Sequence, residues 1–144
     1  MRINKFNMNE HGLHRFFGSL EVKVMNTLWE KEKLTIKQAH EMINREDPIS
    51  FNAVMTVMNR LTDKGVLRKE STGGGRNRLT YFYPTQTKEQ FISKQTRVVT
   101  EELIEDFGPL VVNHFIERLD YADPELIKKL EKKLNEMKNN DEIE

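Results

Sequence analysis

One short stretch near the middle of the chain carries side chains that can read a pattern of hydrogen-bond donors and acceptors. Asn52, Thr56, Asn59 and Arg60 fall on one side of a helix at their spacing, and Ala53 lies beside them. An asparagine amide can pair with adenine through two hydrogen bonds, an arginine with guanine, and the methyl group of Ala53 or Thr56 can touch a thymine methyl. We therefore predict that these five residues contact base edges in a DNA groove.

The opposite side of the same segment is apolar with the i, i+3, i+4, i+7 spacing of a helix: Val54, Val57, Met58 and Leu61. This stripe predicts a helix from about Ser50 to Lys64 that turns its polar side outward. Gly65 follows at the place where a left-handed residue ends many helices. Taken alone, the helix has a second interpretation, in which its polar side is an ordinary solvated face.

A basic, glycine-rich turn comes next along the chain. Three consecutive glycines precede Arg76 and Arg78, between β-rich segments at Val66–Glu70 and Leu79–Tyr83. Glycine lets a backbone approach phosphates closely, and the arginines can neutralise them. The turn leads into a strand rather than a helix, unlike the phosphate-binding loop of nucleotide enzymes. We predict a hairpin whose Arg76 and Arg78 contact the DNA backbone.

Two earlier helices must position these groups. The first is predicted to begin at Ser19 as its N-cap, and a capping box of Thr35 and Gln38 opens the second, which ends at Asp47-Pro48. A short helix, a turn and a longer helix form a helix-turn-helix, and the hairpin adds a wing. The further residues expected to contact the DNA backbone are Thr35, Lys37 and Ser50.

The last third of the chain is predicted to be helical and to assemble the protein. Apolar stripes on three helices cannot be buried within some fifty residues, and a second copy would cover them in a twofold interface. The alternative is that these helices pack onto their own winged domain. The residues predicted at the dimer interface are Phe107, Leu110, Val111, Phe115, Ile116, Ile127, Leu130 and Leu134.

The sequence thus predicts a mainly α fold, a winged helix-turn-helix of three helices and a β-hairpin wing, followed by a C-terminal helical dimerisation module. The predicted domain ranges are a flexible arm at 1–11, the winged helix at 12–86, the dimerisation module at 87–138 and a polar tail at 139–144.

Charge is divided along the chain, although Lys and Arg total 23 and Asp and Glu also total 23. Residues 1–90 carry a net charge of +5 and residues 91–144 a net charge of −5. A basic half joined to an acidic half favours contact of the first half with a polyanion. A chance imbalance of five charges is the alternative.

Other classes of function have weak support. Cysteine is absent, which excludes disulfides and thiolate metal sites. His11 and His14 have no supporting ligands, and no nucleophile with a neighbouring base is evident, so we expect neither an enzyme nor a metal or cofactor site. Without a long apolar run or a signal sequence, we expect a cytoplasmic protein with no membrane association.

Two functions from different classes remain. The first is a homodimeric repressor that reads an operator in double-stranded DNA. The second is a winged-helix module that docks a protein partner without reading DNA. The charge division and the basic wing favour the first.

Two motifs resemble those of one known family. The chain resembles the BlaI/MecI/CopY family of bacterial repressors in two motifs and a following aromatic strand. The first motif is Gly18-Ser19-Leu20-Glu21-x-x-Val24-Met25-x-x-Leu28-Trp29. The second is Val54-Met55-Thr56-Val57-Met58-Asn59-Arg60-Leu61-x-x-Lys64-Gly65, and the strand is Tyr81-Phe82-Tyr83-Pro84. The resemblance spans roughly residues 17–137. It implies a dimeric winged-helix repressor that binds inverted-repeat operators, often with TACA/TGTA half-sites.

The chain departs from that family at two places. Threonine is common in the family where this chain has Ala53, which affects the base preference at that position. The β-lactam-responsive members are cut by a protease at an Asn-Phe bond, and the corresponding place here is His114-Phe115, preceded by Asn113. A regulatory protease is therefore a partner that the resemblance implies. Copper sensing through a C-terminal cysteine cluster is excluded, because the chain has no cysteine.

Overall fold

The structure, a computed structural model, describes residues 5–143 and the side chains of residues 5–141. Residues 1–4 of the predicted arm and residue 144 of the predicted tail lie outside the described residues. The elements in chain order are α1 (Ser19–Lys31), α2 (Ile36–Glu46), α3 (Phe51–Asp63), β1 (Leu67–Thr72), β2 (Leu79–Pro84), α4 (Lys88–Phe107), α5 (Pro109–Arg118) and α6 (Pro124–Ile143). The mainly α fold with a two-stranded hairpin is confirmed over this part of the chain.

The chain divides into two compact units, with the boundary between Val99 and Thr100 inside α4. The first unit therefore extends beyond residue 86, where the predicted winged domain ends. The reason is the start of α4: Phe91 stacks on Phe17 with ring centroids 4.9 Å apart, and Gln95 is buried. An apolar side chain that fills the core ties its helix to that unit.

The first unit, which ends at Val99, is called the winged unit below, and its first three helices enclose one hydrophobic core. Each contributes a stripe at helical spacing, and the hairpin and α4 close the core from other sides. Its fully buried side chains include Val24, Met25, Leu28, Ala39, Val54, Met58, Leu61, Leu67 and Phe91. The apolar side of α3 is thereby turned inward as predicted.

Capping residues determine where α2 and α3 begin and end. Thr35 Oγ1 accepts from the Gln38 backbone N–H at 3.1 Å, and Gln38 Oε1 accepts from the Thr35 N–H at 2.9 Å, which confirms the predicted capping box. Ser50 Oγ accepts from the Ala53 N–H at 3.1 Å. Gly65 has φ of 79°, the left-handed conformation predicted after α3.

The start of α1 differs from the prediction. Gly18 is the N-cap, with an extended backbone, and its N–H donates to Glu21 Oε1 at 2.9 Å. Ser19 is already the first helical residue, so its assignment as N-cap is wrong. The carboxylate of Glu21 caps the helix from the first turn, which leaves the serine hydroxyl without that role.

The hairpin is antiparallel, with Leu67 opposite Pro84 and Thr72 opposite Leu79. The first strand starts one residue later than predicted and runs on to Thr72, two residues into the predicted turn. Leu34 joins the sheet from the turn before α2: its N–H donates to Phe82 O at 3.1 Å, and the Phe82 N–H donates to Leu34 O at 2.8 Å. The wing is therefore anchored directly to the helix-turn-helix.

The second unit contains the end of α4, together with α5 and α6. Pro109 is at the first turn of α5, and Asp123 Oδ1 accepts from the Glu125 N–H at 3.0 Å at the start of α6. Helix α6 continues to Ile143, so the described part of the predicted tail is helical. No glycine or proline interrupts it there. None of the helices within residues 5–143 has the length and apolar character needed to cross a membrane.

Candidate nucleic-acid interface

The outer side of α3 presents hydrogen-bonding side chains away from the core. Asn52, Thr56, Asn59 and Arg60 are exposed, and Ala53 is half-buried beside them. Their positions i, i+4, i+7 and i+8 form one stripe along the helix, because successive residues turn by about 100°. The structure brings the five predicted base-contacting residues together on a single face.

These polar side chains are not used inside the protein. The side chains of Asn52, Thr56, Asn59 and Arg60 have no hydrogen bond or ion pair with any other residue that the structure describes. By contrast, Lys64 at the end of the same helix lies 3.6 Å from the Glu21 carboxylate. The donors and acceptors of the α3 face are therefore available to an external ligand.

Two hydroxyl groups cap the starts of α2 and α3. Thr35 and Ser50 each use a side-chain oxygen to accept a backbone N–H, so the O–H of each side chain remains a donor. Both lie where unpaired backbone N–H groups and the helix dipole favour an anion. Lys37, exposed in the first turn of α2, adds a positive charge. This set can bind phosphate oxygens.

The wing tip is exposed and positively charged. Arg76 is unpaired among the described residues, and Arg78 donates only to Ser71 Oγ, at 3.4 Å. Gly73 has φ of 78°, and a Cβ there would lie 2.7 Å from Asn77 O. Glycine is therefore required at this position for the turn to close. The tip carries two arginines that can reach an external polyanion.

The predicted dimer residues lie in the second unit and are largely uncovered. Phe107, Leu110, Phe115, Ile116, Leu130 and Leu134 are exposed, and Val111 and Ile127 are half-buried. Leu110 exposes 63% of its surface and Phe107 58%. Indeed, none of residues 100–141 is buried. These helices carry an apolar surface that is exposed in the described part of the chain.

Sequence reasoning missed Phe51 and its neighbour His40. Phe51 lies at the first position of α3 and is 42% exposed, with its ring in an edge contact with His40. Its spacing to Val54 and Met58 favours burial. A side chain in the first turn of a helix points back beyond the helix end, however, and this direction carries it past the core.

A second missed residue is Lys33, in the turn between α1 and α2. Its ammonium group lies 4.9 Å from the centroid of the Tyr81 ring on β2. This cation–π contact holds a positive charge between the helices and the wing. In the sequence the residue belongs to an ordinary polar loop, and only the fold brings it beside an aromatic strand. Among the side chains that the structure describes, those of residues 5–141, no group of His, Asp or Glu is arranged to hold a metal ion.

Three helices, a hairpin wing and an outward polar face on the third helix define a winged helix-turn-helix fold. The sequence model of the family described as Penicillinase repressor matches residues 17–136. The chain belongs to this family of DNA-binding transcriptional repressors, which confirms the resemblance to BlaI and its relatives.

Individual relatives and solved structures share between 14% and 29% of their residues with the chain. The transcriptional regulator BlaI of Mycobacterium tuberculosis, in strains CDC 1551 / Oshkosh and ATCC 25618 / H37Rv, is 29% identical over 111 residues, which is 74% of this chain and 77% of that protein. The solution structure of the DNA binding domain of the repressor BlaI is 18% identical, with a TM-score of 0.43, over 50% of this chain and 83% of that domain. The zinc-responsive MarR family member ZitR of Lactococcus lactis is 14% identical, with a TM-score of 0.44, over 95% of this chain and 86% of ZitR.

Proposed function

We propose that the chain is a homodimeric repressor that binds an inverted-repeat operator and blocks a promoter. The observation that carries this proposal is the α3 face, where Asn52, Thr56, Asn59 and Arg60 are exposed and have no partner among the described residues. Polar side chains arranged in this way on a helix of a winged fold suit the reading of base edges. The role requires the chain to be in the cytoplasm with its DNA.

Helix α3 has the dimensions and chemistry of a major-groove reader. The groove is about 12 Å wide and admits one helix, about 10–12 Å across with its side chains. Arg60 can donate to O6 and N7 of a guanine, and Asn52 or Asn59 can pair with an adenine. Thr56 and Ala53 offer methyl groups to a thymine. These residues would supply base discrimination at each half-site.

The phosphate contacts would come from the helix starts and the wing. Thr35 and Lys37 lie at the start of α2, Ser50 lies at the start of α3, and Arg76 and Arg78 lie in the hairpin loop. Their contacts would orient α3 and raise affinity for any duplex, since phosphates carry no direct sequence information.

The uncovered helices of the second unit support the homodimer. A chain that leaves Phe107, Leu110, Phe115 and Ile116 exposed needs a partner surface, and a second copy offers the same apolar surface. On α6, Ile127, Leu130 and Leu134 have the 3-4 spacing of helix-pairing positions. A twofold dimer presents two α3 helices about one helical turn of DNA apart, or a multiple of it. This geometry selects an inverted repeat, and a bound dimer excludes polymerase from the covered promoter.

The proposed partners also include a regulatory protease that acts on α5 at or near His114–Phe115. Both side chains are exposed, and the bond lies inside the helix Pro109–Arg118. Since proteases bind extended backbone, cleavage requires α5 to open locally. A cut there would divide the dimer module and separate the two DNA-reading units. Mass analysis of the chain recovered from induced cells should then find fragments that end within α5. A chain that stays intact under induction would contradict regulation by this protease.

The test is selection of binding sites from random duplex DNA with the wild-type protein, followed by sedimentation of the complex. We expect an inverted repeat and two chains on each duplex. Failure to enrich any sequence in dilute salt would overturn DNA reading. Enrichment of a single half-site by one chain would overturn the dimer but not the role of α3.

A further inference from the structure

Phe51 is an exposed apolar residue at the N-terminal end of α3, on the flank of the buried stripe. Within residues 35–65, which include α2, the turn and α3, it is the only large apolar side chain that is exposed. It directly follows the N-cap Ser50 and precedes Asn52 and Ala53. A single exposed ring is common on protein surfaces, but this ring stands at the end of α3 that is proposed to enter the groove, where a bound duplex would cover it.

The ring of Phe51 is held in place by α2. The His40 ring contacts it edge-on, with centroids 5.7 Å apart and an angle of 78° between the planes. His40 Nε2 donates to Ile49 O at 2.8 Å, and the Ile49 N–H donates to Asn44 Oδ1 at 3.0 Å. Two side chains of α2 therefore tie the turn before α3, and with it Phe51, to α2.

The chemistry of the major groove limits what Phe51 can recognise. A phenyl ring has no hydrogen-bonding group, and the main apolar feature on the base edges is the thymine C5-methyl group. The N-terminal end of a recognition helix is the part that reaches the bases. The geometry points to Phe51 as a specificity residue that contacts one thymine methyl in each half-site, with His40 as the residue that positions its ring. This inference rests on the proposed DNA-reading function.

Replacing thymine by uracil in the DNA tests the contact directly, because uracil lacks only the methyl group. Each thymine of the selected operator is changed to uracil in both half-sites, and binding is measured by fluorescence anisotropy. At the Phe51 position, wild-type affinity should fall about fourfold for each half-site, the value expected when one methyl group is no longer buried. Phe51→Ala should bind the thymine and uracil duplexes equally at that position.

Further variants separate recognition from stability. Leu79→Ala removes another exposed apolar side chain, 50% exposed at the start of β2, and should keep the wild-type thymine preference at every position. Phe51→Leu keeps apolar bulk and should retain part of the preference. His40→Ala should reduce the preference at the same thymine as Phe51→Ala. Thermal unfolding of each variant reports any loss of the fold itself.

The outcomes are distinct. At positions contacted by Ala53 or Thr56, the Phe51→Ala protein should still prefer thymine to uracil. Only at the position contacted by Phe51 should this preference be lost. If wild type never prefers thymine, or if every preference survives in Phe51→Ala, the inference is overturned while the proposed function stands. A wild-type protein that binds no duplex overturns both.

Discussion

The two arginines at the wing tip should determine how steeply DNA binding depends on salt. Arg76 is unpaired among the described residues and Arg78 makes one long hydrogen bond, so both charges are available to phosphates. Each neutralised phosphate contributes about 0.9 to the slope of log affinity against log salt. Four arginines in a dimer would contribute about 3.6. When salt is raised from about 50 to 200 mM, the affinity of wild type should fall by a certain factor. For the double variant Arg76→Ala with Arg78→Ala, that factor should be roughly a hundredfold smaller.

Fluorescence anisotropy of a labelled operator across a salt series measures this slope. A duplex of unrelated sequence should show the same flattening, because phosphate contacts do not discriminate bases. The matched control is Lys94→Ala with Arg97→Ala, which removes the same charge from exposed positions on α4. This control should retain the wild-type slope.

A wing variant with an unchanged slope would show that the hairpin does not touch the phosphates. Equal flattening in the α4 control would mean that the net charge of the protein, rather than the position of the wing, produces the salt dependence. Either result would refute the reasoning about the wing.

Three other substitutions test base recognition by α3, packing of the core and dimer formation. Thr56→Ala should relax base choice at one position of each half-site and leave the salt slope intact, since it removes a base-edge contact; sequencing of selected duplexes measures this, and an unaltered preference would contradict it. Met58→Ala should lower the free energy of unfolding by about 2–5 kcal/mol, because a fully buried side chain leaves a cavity; urea denaturation measures it, with exposed Met8→Ala as control. Leu134→Asp should shift the protein towards monomer in sedimentation equilibrium, whereas Asn135→Asp on the same helix should not; equal behaviour of the two would argue against an α6 interface.

Local sequence signals predicted the elements that carry the site. The capping box at Thr35 and the left-handed Gly65 depend on chemistry within a few residues, and the structure confirms both. The apolar stripe of α3 was equally clear, because helical spacing alone determines which side faces the core. The exposed polar side followed from it.

Features that depend on distant contacts could not be predicted in the same way. Phe51 fits the spacing of the buried stripe, and only its place at the helix start, with His40 of another helix beside it, leaves it exposed. The first turns of α4 belong to the winged unit because Phe91 stacks on Phe17, a pair far apart in sequence. Each case depends on a side-chain partner that the local pattern does not contain.

The most direct test of the account is dimethyl sulfate protection of guanine N7 on the selected operator, with wild type and Arg60→Ala. This reagent reports on the major groove, where α3 is proposed to lie and where arginine binds guanine O6 and N7. We predict that one guanine in each half-site is protected by wild type and becomes reactive again with Arg60→Ala bound. Guanine N7 atoms that stay fully reactive under saturating wild-type protein would contradict the claim that α3 reads the major groove.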